Sequence, residues 1–259
     1  MTTIQLGPTT TPRSNFIAEA VLPQATPPDG AREMVDTETD AATPAQVDTL
    51  GDVVRVSWWV DELAPGERRT FELRRAEQPH DVRRGIELQH QEEDGRIVVY
   101  YGGLLQTIYH YGLPNYRPYF WPNVAPSGRP GSGVESTDGS QPKSITDDGP
   151  PDHTWHRSLW YACGDLNGVD FYLEPAAMNA GYGPHVGEGY GRIVHAGFDW
   201  LVSGPVWGGF QQQVQWTAPD GRVLLDDVRR FRLYRLKGRV RLAEDAGDAR
   251  RHACGERFA

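Results

Sequence analysis

The chain has 259 residues, of which 38% are apolar, with a formal charge of −9 at pH 7 and a mean hydropathy of −0.57. That length can bury a substantial core, and one large β domain fits it better than two smaller domains. The acidic balance argues against a general phosphate-backbone binder, so nucleic acid is not an expected partner. No run of about 18 apolar residues offers a membrane helix, and a soluble protein is expected.

Gly 29 and Pro 20 supply many turns between short strands and leave little room for long helices. Met1 to Pro12 lacks the basic and apolar regions of a secretory signal. The cysteines Cys163 and Cys254 do not form a disulfide framework of the small-domain kind, and both features fit a reducing cytoplasm. Residues 1–44 are rich in Thr, Pro, Ala and Asp and read as partly loose, although Asn15 to Leu22 fits a short ordered element.

A β-sandwich domain is expected over residues 45–236. Val53, Val54, Val56, Trp58 and Val60 begin a strand, Ala64-Pro65-Gly66 turns the chain, and Arg68 to Leu73 returns as the second arm of a hairpin. Arg84 to Glu92, the Asp94-Gly95 turn and Ile97 to Tyr101 repeat the pattern, and Leu104 to Tyr111 adds a strand. A long loop follows over 114–157, where Pro, Gly, Ser and Asp dominate; loops of that length usually carry function or are disordered. Strand character returns at Ser158 to Tyr161, with Leu159 to Ala162 reading as buried. It continues at Gly191 to Val202, Val206 to Trp216 and Val223 to Tyr234, with Pro219-Asp220-Gly221 as a tight turn. The glutamines Gln211, Gln213 and Gln215 alternate with Gln212, Val214 and Trp216, as in a strand with one polar face. Residues 237–259 read as an irregular polar tail, or as a reading frame lost near Leu236, since Arg/Ala/Gly-rich ends are typical of shifted GC-rich codons.

Chemistry concentrates between Asp152 and Phe171, where two His, three Asp, an Arg, an Asn and two Trp share one short segment. His153 and His156 are three apart, which requires a turn or loop if they are to converge. With Asp152, His185 or His195 they form either an acid/base pair held by a carboxylate or a mixed N/O site for a divalent metal; the bland alternative is that they pin a loop. Arg117 and Arg157 suit bidentate contacts to a carboxylate or to sugar hydroxyls, and equally suit stapling loop carbonyls. Trp121, Trp155, Trp160 and Tyr119 offer flat faces on which pyranose rings rest, with core packing preferred for Trp160. Asn167-Gly168 reads first as a left-handed turn and second as a ligand contact. The glycine-rich stretch Gly181 to Gly191 has no βαβ context, so a loop beside the site is preferred to a phosphate cradle, with His185 and Glu188 as its chemical groups. Cys163 reads as a buried thiol rather than a nucleophile.

Three segments together, Arg117-Pro118-Tyr119-Phe120-Trp121-Pro122-Asn123-Val124-Ala125-Pro126-Ser127-Gly128, Asp152 to Arg157 and Gly164-Asp165-Leu166-Asn167-Gly168-Val169-Asp170-Phe171, resemble the motifs of the PmoA-like family. That bacterial family, carried under the label "methane oxygenase PmoA", has no known function. The resemblance runs from about Ala45 to Tyr234. It implies an all-β antiparallel supersandwich of the galactose-mutarotase kind, two large sheets with a groove that in similar folds holds carbohydrate. Trp155 and Cys163 stand where the family has histidines, and Thr154 where it has a proline. Family members continue through further strands beyond the region of Tyr234, which implies an incomplete or truncated sandwich here. The label's membrane subunit is an integral membrane protein, unlike this chain.

The leading expectation is therefore a protein that binds, and by proton transfer modifies, a carbohydrate or related polar small molecule. His153 and His156 act as base and acid, Asp152 orients an imidazole, and His195 completes the cluster. Arg117, Arg157, Trp155, Asn167 and His185 contact the ligand. No cofactor is called for, a divalent metal being the alternative. Two further readings stand beside it: a non-catalytic binding module or degenerate paralogue, and a metal-dependent oxidoreductase as the label suggests.

Overall fold

The computed structural model describes residues 2–24, 30–81, 84–124, 144–236 and 239–245. The protein is all-β, and every pairing between its strands is antiparallel. A six-stranded sheet comprises β1 (Thr2–Leu6), β2 (Arg13–Leu22), β3 (Arg32–Asp36), β4 (Ala42–Leu50), β5 (Val53–Leu63) and β6 (Arg69–Arg75), in the order β1-β6-β3-β4-β5-β2. A five-stranded sheet runs β11-β10-β9-β8-β7, from β7 (Ile86–Gln91), β8 (Arg96–Tyr101), β9 (Leu104–His110), β10 (Tyr119–Asn123) and β11 (Leu159–Trp160). A four-stranded sheet orders β12 (Arg192–Val202), β13 (Trp207–Thr217), β14 (Val223–Leu236) and β15 (Arg239–Asp245) consecutively.

Period-two alternation explains the longer strands. In β5 the side chains of Val54, Val56, Trp58 and Val60 point inward and are almost fully buried, closing a core with Met34, Phe71 and Leu73. In β13 the buried face is Phe210, Gln212, Val214 and Trp216, while Gln211 and Gln213 reach Asp199 and Gln215 reaches Asp226. The second and third sheets face each other across Ile86, Ile97, Val99, Tyr109, Phe120, Phe210, Phe231 and Leu233. Close approach there depends on Gly208, where a Cβ would lie 2.5 Å from Ile86 Cγ2. The first sheet docks on the third through Gln46, whose Oε1 accepts from the backbone N–H groups of Val206 and Trp207, both at 3.0 Å.

Four expectations are corrected. Residues 1–44 were read as partly loose apart from Asn15 to Leu22; the described ones instead hold β1, β2, which contains that segment, β3 and the start of β4. Their sparse apolar residues sufficed because Met34, Ala18 and Leu22 join the apolar face of β5 and β6 in one core. β5 and β6 are not a hairpin: β6 returns beside β3, so β3 to β6 make a Greek key in the spatial order β6-β3-β4-β5. The polar tail read over 237–259 begins with a strand, β15, paired to β14 from Arg230↔Asp245 to Leu236↔Arg239. Its backbone donors and acceptors extend the sheet whatever its side chains; 246–259 lie outside the described residues. Lastly, the described residues hold three sheets where two large ones were expected.

The long loop of 114–157 contains β10 and two isolated bridges, Val124↔Ser144 and Asp148↔Arg157; residues 125–143 lie outside the described residues. The strand expected to be buried at Leu159 to Ala162 is reduced to the two residues of β11, and Leu159 and Tyr161 are exposed.

Candidate functional site

Residues 144–190 form a layer of loops held on the sandwich by polar contacts, because loops bury little apolar surface and must satisfy their own backbone. Asn123, at the end of β10, ties the near side down. Its amide nitrogen lies 3.2 Å from Thr146 Oγ1 and 3.0 Å from Ser158 Oγ, and its carbonyl accepts the Thr107 hydroxyl at 2.9 Å. On the far side Val169 and Phe171 pack against Ile193, Val214 and Trp216 of the third sheet. Gly191 permits this, since a Cβ there would sit 2.4 Å from the Phe171 ring.

Two charged side chains organise the centre of the layer. Arg117 is buried, and its guanidinium donates to the carbonyls of Tyr172 (2.7 Å) and Leu173 (3.0 Å), lies 3.5 Å from Glu174 Oε2 and stacks on Trp160. Burial pulls its pKa down to about 10, against the opposing charge of Glu174. The same burial raises the Glu174 carboxyl, with Arg117 working against it. Asp170 is completely buried, and its Oδ1 accepts from the backbone N–H groups of Tyr172 (2.7 Å) and Leu173 (3.0 Å). Its Oδ2 accepts from the backbone N–H of His185 (2.8 Å) and lies 2.9 Å from the ring Nδ1 of the same residue.

Above these groups the rings form a circuit. Tyr182 meets His153 (6.3 Å between centroids), His153 meets His156 (6.3 Å), and His156 meets Trp160 (5.6 Å). Trp160 meets Tyr172 (5.0 Å) and Tyr172 meets His185 (5.9 Å), three residues along the chain from Tyr182. His156 and Tyr182 are exposed, and the side chains of His153 and His185 are 45% and 53% exposed. His153 Nδ1 lies 3.1 Å from Asp152 Oδ2, so both His153 and His185 direct Nδ1 at an aspartate. Donation from Nδ1 to the carboxylate leaves Nε2 as the acceptor of a neutral ring, and neither Nε2 has a partner among the described residues. The turn needed to bring His153 and His156 together is present: the His156 N–H donates to the His153 carbonyl at 2.8 Å.

Several expected site residues are placed elsewhere or do other work. Arg117 clamps no ligand, because both terminal nitrogens are spent on loop carbonyls. Arg157 reaches Asp148 and Asn115, each at 3.2 Å, and lies over Tyr119. Trp155 is a buried residue packed with Leu173 and Ala177, not an open platform. Asn167 is exposed at φ 53° beside Gly168 at φ 84°, in the turn closed by the Leu166↔Val169 bridge, and is a turn former. Trp121 faces partly outward, and its carbonyl accepts from His110 Nε2. Cys163 is half-buried, and its thiol contacts the Asp165 carbonyl. Gly181 to Gly191 follows a 3-10 helix, Pro175–Ala180, and is a loop.

His195 belongs to a different cluster. On β12, its Nδ1 accepts from the Gln212 side-chain amide at 2.7 Å, Gln212 Oε1 accepts the Tyr109 hydroxyl, and its ring lies against Tyr111 and Phe198. Burial, and then His90, lower its pKa. None of these contacts is shared with His153 or His156. Asp170, Tyr172 and Tyr182 were not among the expected site residues. The one local signal for Asp170 was a carboxylate between the apolar Val169 and Phe171, in a segment that had to bury both neighbours. Among the described residues no group of three or more His, Cys, Asp or Glu is arranged to hold a metal ion.

The family of unknown function DUF6807 matches residues 96–246, more than half of the chain, and the chain belongs to that family. No curated protein matches it, and no solved structure does. Among the described residues no helix is long and apolar enough to cross a membrane.

Proposed function

We propose that the ring circuit binds a carbohydrate or a related polar small molecule, with His185 and His153 as its hydrogen-bonding and proton-carrying groups. One observation carries this reading: two imidazoles, each with Nδ1 directed at an aspartate, present unpartnered Nε2 atoms amid Tyr182, Trp160 and Tyr172. Ring faces suit the C–H surface of a pyranose, and the Nε2 atoms suit its hydroxyls. His185 is the better placed base, because Asp170 is held by three backbone N–H groups and so fixes the imidazole. His156, without a carboxylate partner, contributes a ring edge. The segments from Asp152 to Arg157 and from Gly164 to Phe171, on which the PmoA-like resemblance rests, supply His153, His156 and Asp170, which supports placing the ligand there.

Calorimetric titration with a panel of neutral and acidic monosaccharides tests the reading. Wild-type protein is expected to bind at least one member and the His153→Ala/His185→Ala variant to lose that binding. A panel that gives no heat with wild type, or equal binding by the folded double variant, overturns it. NMR of the bound sugar over time then separates the enzyme from the binding module: chemical change abolished by Asp170→Asn assigns proton transfer to His185, and an unchanged sugar assigns binding alone.

A further inference from the structure

The charge around the ring circuit is lopsided. Residues 144–190, all of them described, hold seven carboxylates against one cationic side chain other than histidine, Arg157. Two more guanidinium groups, those of Arg117 and Arg222, reach in from outside this stretch. All three are taken: Arg157 by Asp148, Arg117 by Glu174 and two carbonyls, Arg222 by Glu188 and Asp220. Asp152 and Asp170, the carboxylates behind the two imidazoles, have no guanidinium partner among the described residues. Arg117 feels Asp170 through space, less than it feels Glu174.

The hydrogen-bonding groups have the same bias. An imidazole that donates Nδ1–H to a carboxylate keeps its lone pair on Nε2, on the far side of the ring, and can only accept there. The side chains of His153 and His185 are about half exposed, so a ligand can reach them. A protonated amine brings three N–H donors and no acceptor, which answers these lone pairs. A ligand carboxylate brings only acceptors and meets guanidinium groups that are already occupied. Tyr182, exposed and next to His153 in the circuit, adds a ring whose negative face attracts a cation. Trp160 is not needed for this, because Arg117 already lies over it.

We infer that the ligand of this surface carries a protonated amine, as an amino sugar does, and that sugar acids are rejected. The inference rests on the reading of the ring circuit as a ligand site and adds the sign of the ligand's charge. Asp152 and Asp170 act on the amine through their imidazoles, because a carboxylate at Nδ1 makes Nε2 more basic.

Glucose, glucosamine, N-acetylglucosamine and glucuronate share one ring and differ in charge, and cyclohexylamine keeps a ring and an ammonium group without hydroxyls. All five are titrated into the full chain at neutral pH by calorimetry. Glucosamine is expected to bind about tenfold more tightly than glucose or N-acetylglucosamine, with glucuronate weakest. Salt at about 0.5 M and, separately, Asp152→Asn are each expected to narrow that gap about threefold. Asp152 is exposed, so its variant keeps the fold. Glucose, N-acetylglucosamine or glucuronate binding as tightly as glucosamine, or a gap that neither salt nor Asp152→Asn narrows, overturns the inference and leaves the sugar reading standing. Binding of glucosamine and cyclohexylamine without any binding of glucose upholds the amine and overturns the sugar reading. No heat with any of the five overturns both.

Discussion

Asp152 and Asp170 each pair with a histidine Nδ1 at almost the same distance, 3.1 and 2.9 Å, yet the two pairs stand in different surroundings. The Asp152 side chain is 79% exposed and has His153 as its one contact among the described residues; Asp170 is fully buried, receives three backbone N–H donors and lies against the His185 ring. Water competes for the first carboxylate and screens its charge, so that pair orients His153 weakly. The second carboxylate has exchanged water for fixed donors, and removing it leaves those donors buried and unpaired. One aspartate is thus a surface partner, and the other holds together residues 170–173 and the loop of His185.

Asp170→Ala should give the largest effect, about 3–5 kcal/mol of lost stability and a fall in Tm of about 10 °C by calorimetry. A loss as small as that of an exposed ion pair would erase the difference between the two aspartates. Asp48 extends the comparison to a carboxylate with too few donors. Burial, opposed by the Gln46 hydrogen bond and by Arg232, raises it from 3.8 to about 6. The folded state then holds the proton more tightly than the unfolded chain. Its contribution to stability is full below about pH 4 and is lost as pH rises through about 6. Asp48→Asn should therefore be more stable than wild type above pH 7, by less than about 3 kcal/mol because the residue is only half-buried, and should show a flatter pH–Tm profile between those limits. A variant less stable at high pH would show that Asp48 is as well provided for as Asp170.

Asn167→Ala, at a left-handed turn position, should cost about 1 kcal/mol in denaturant titration and Asn167→Gly almost nothing. Equal losses from both would instead assign the Asn side chain a contact of its own. Asp152→Ala should give the smallest effect, within about 0.5 kcal/mol of wild type, with the change confined to ligand affinity at His153.

Strands β5 to β9 and β12 to β14 were legible because their side chains alternate and because Asp94-Gly95 and Pro219-Asp220-Gly221 mark turns between them, whereas β10 lay in a segment read as loop and β15 in one read as tail. The return of β6 to β3 was not legible. Alternation tells which face a residue takes, and nothing in Arg68 to Leu73 names the neighbouring strand. β1 and β3 were read as loose for the same reason, their apolar residues being few and their partners lying tens of residues downstream, whereas Asn15 to Leu22 was read as ordered and lies in β2. At the site, His153, His156 and His185 were found from their chemistry, and their turn from their spacing. Arg117 and Trp155 were assigned to the ligand, because residue type alone does not distinguish a guanidinium that meets a substrate from one that meets two carbonyls.

By itself the sequence determined the all-β class, most of the strands, the Asn167-Gly168 turn and the segment where imidazoles and carboxylates gather. These follow from interactions between residues near in sequence, such as side-chain alternation, turn geometry and local hydrogen bonds. Only the tertiary structure decided that His195 belongs with Gln212 and Tyr111, that Arg117 is buried under Trp160, and that Asp170 rather than Asp152 is the anchored carboxylate. Those outcomes depend on burial, and burial is set by which distant segments pack against each other.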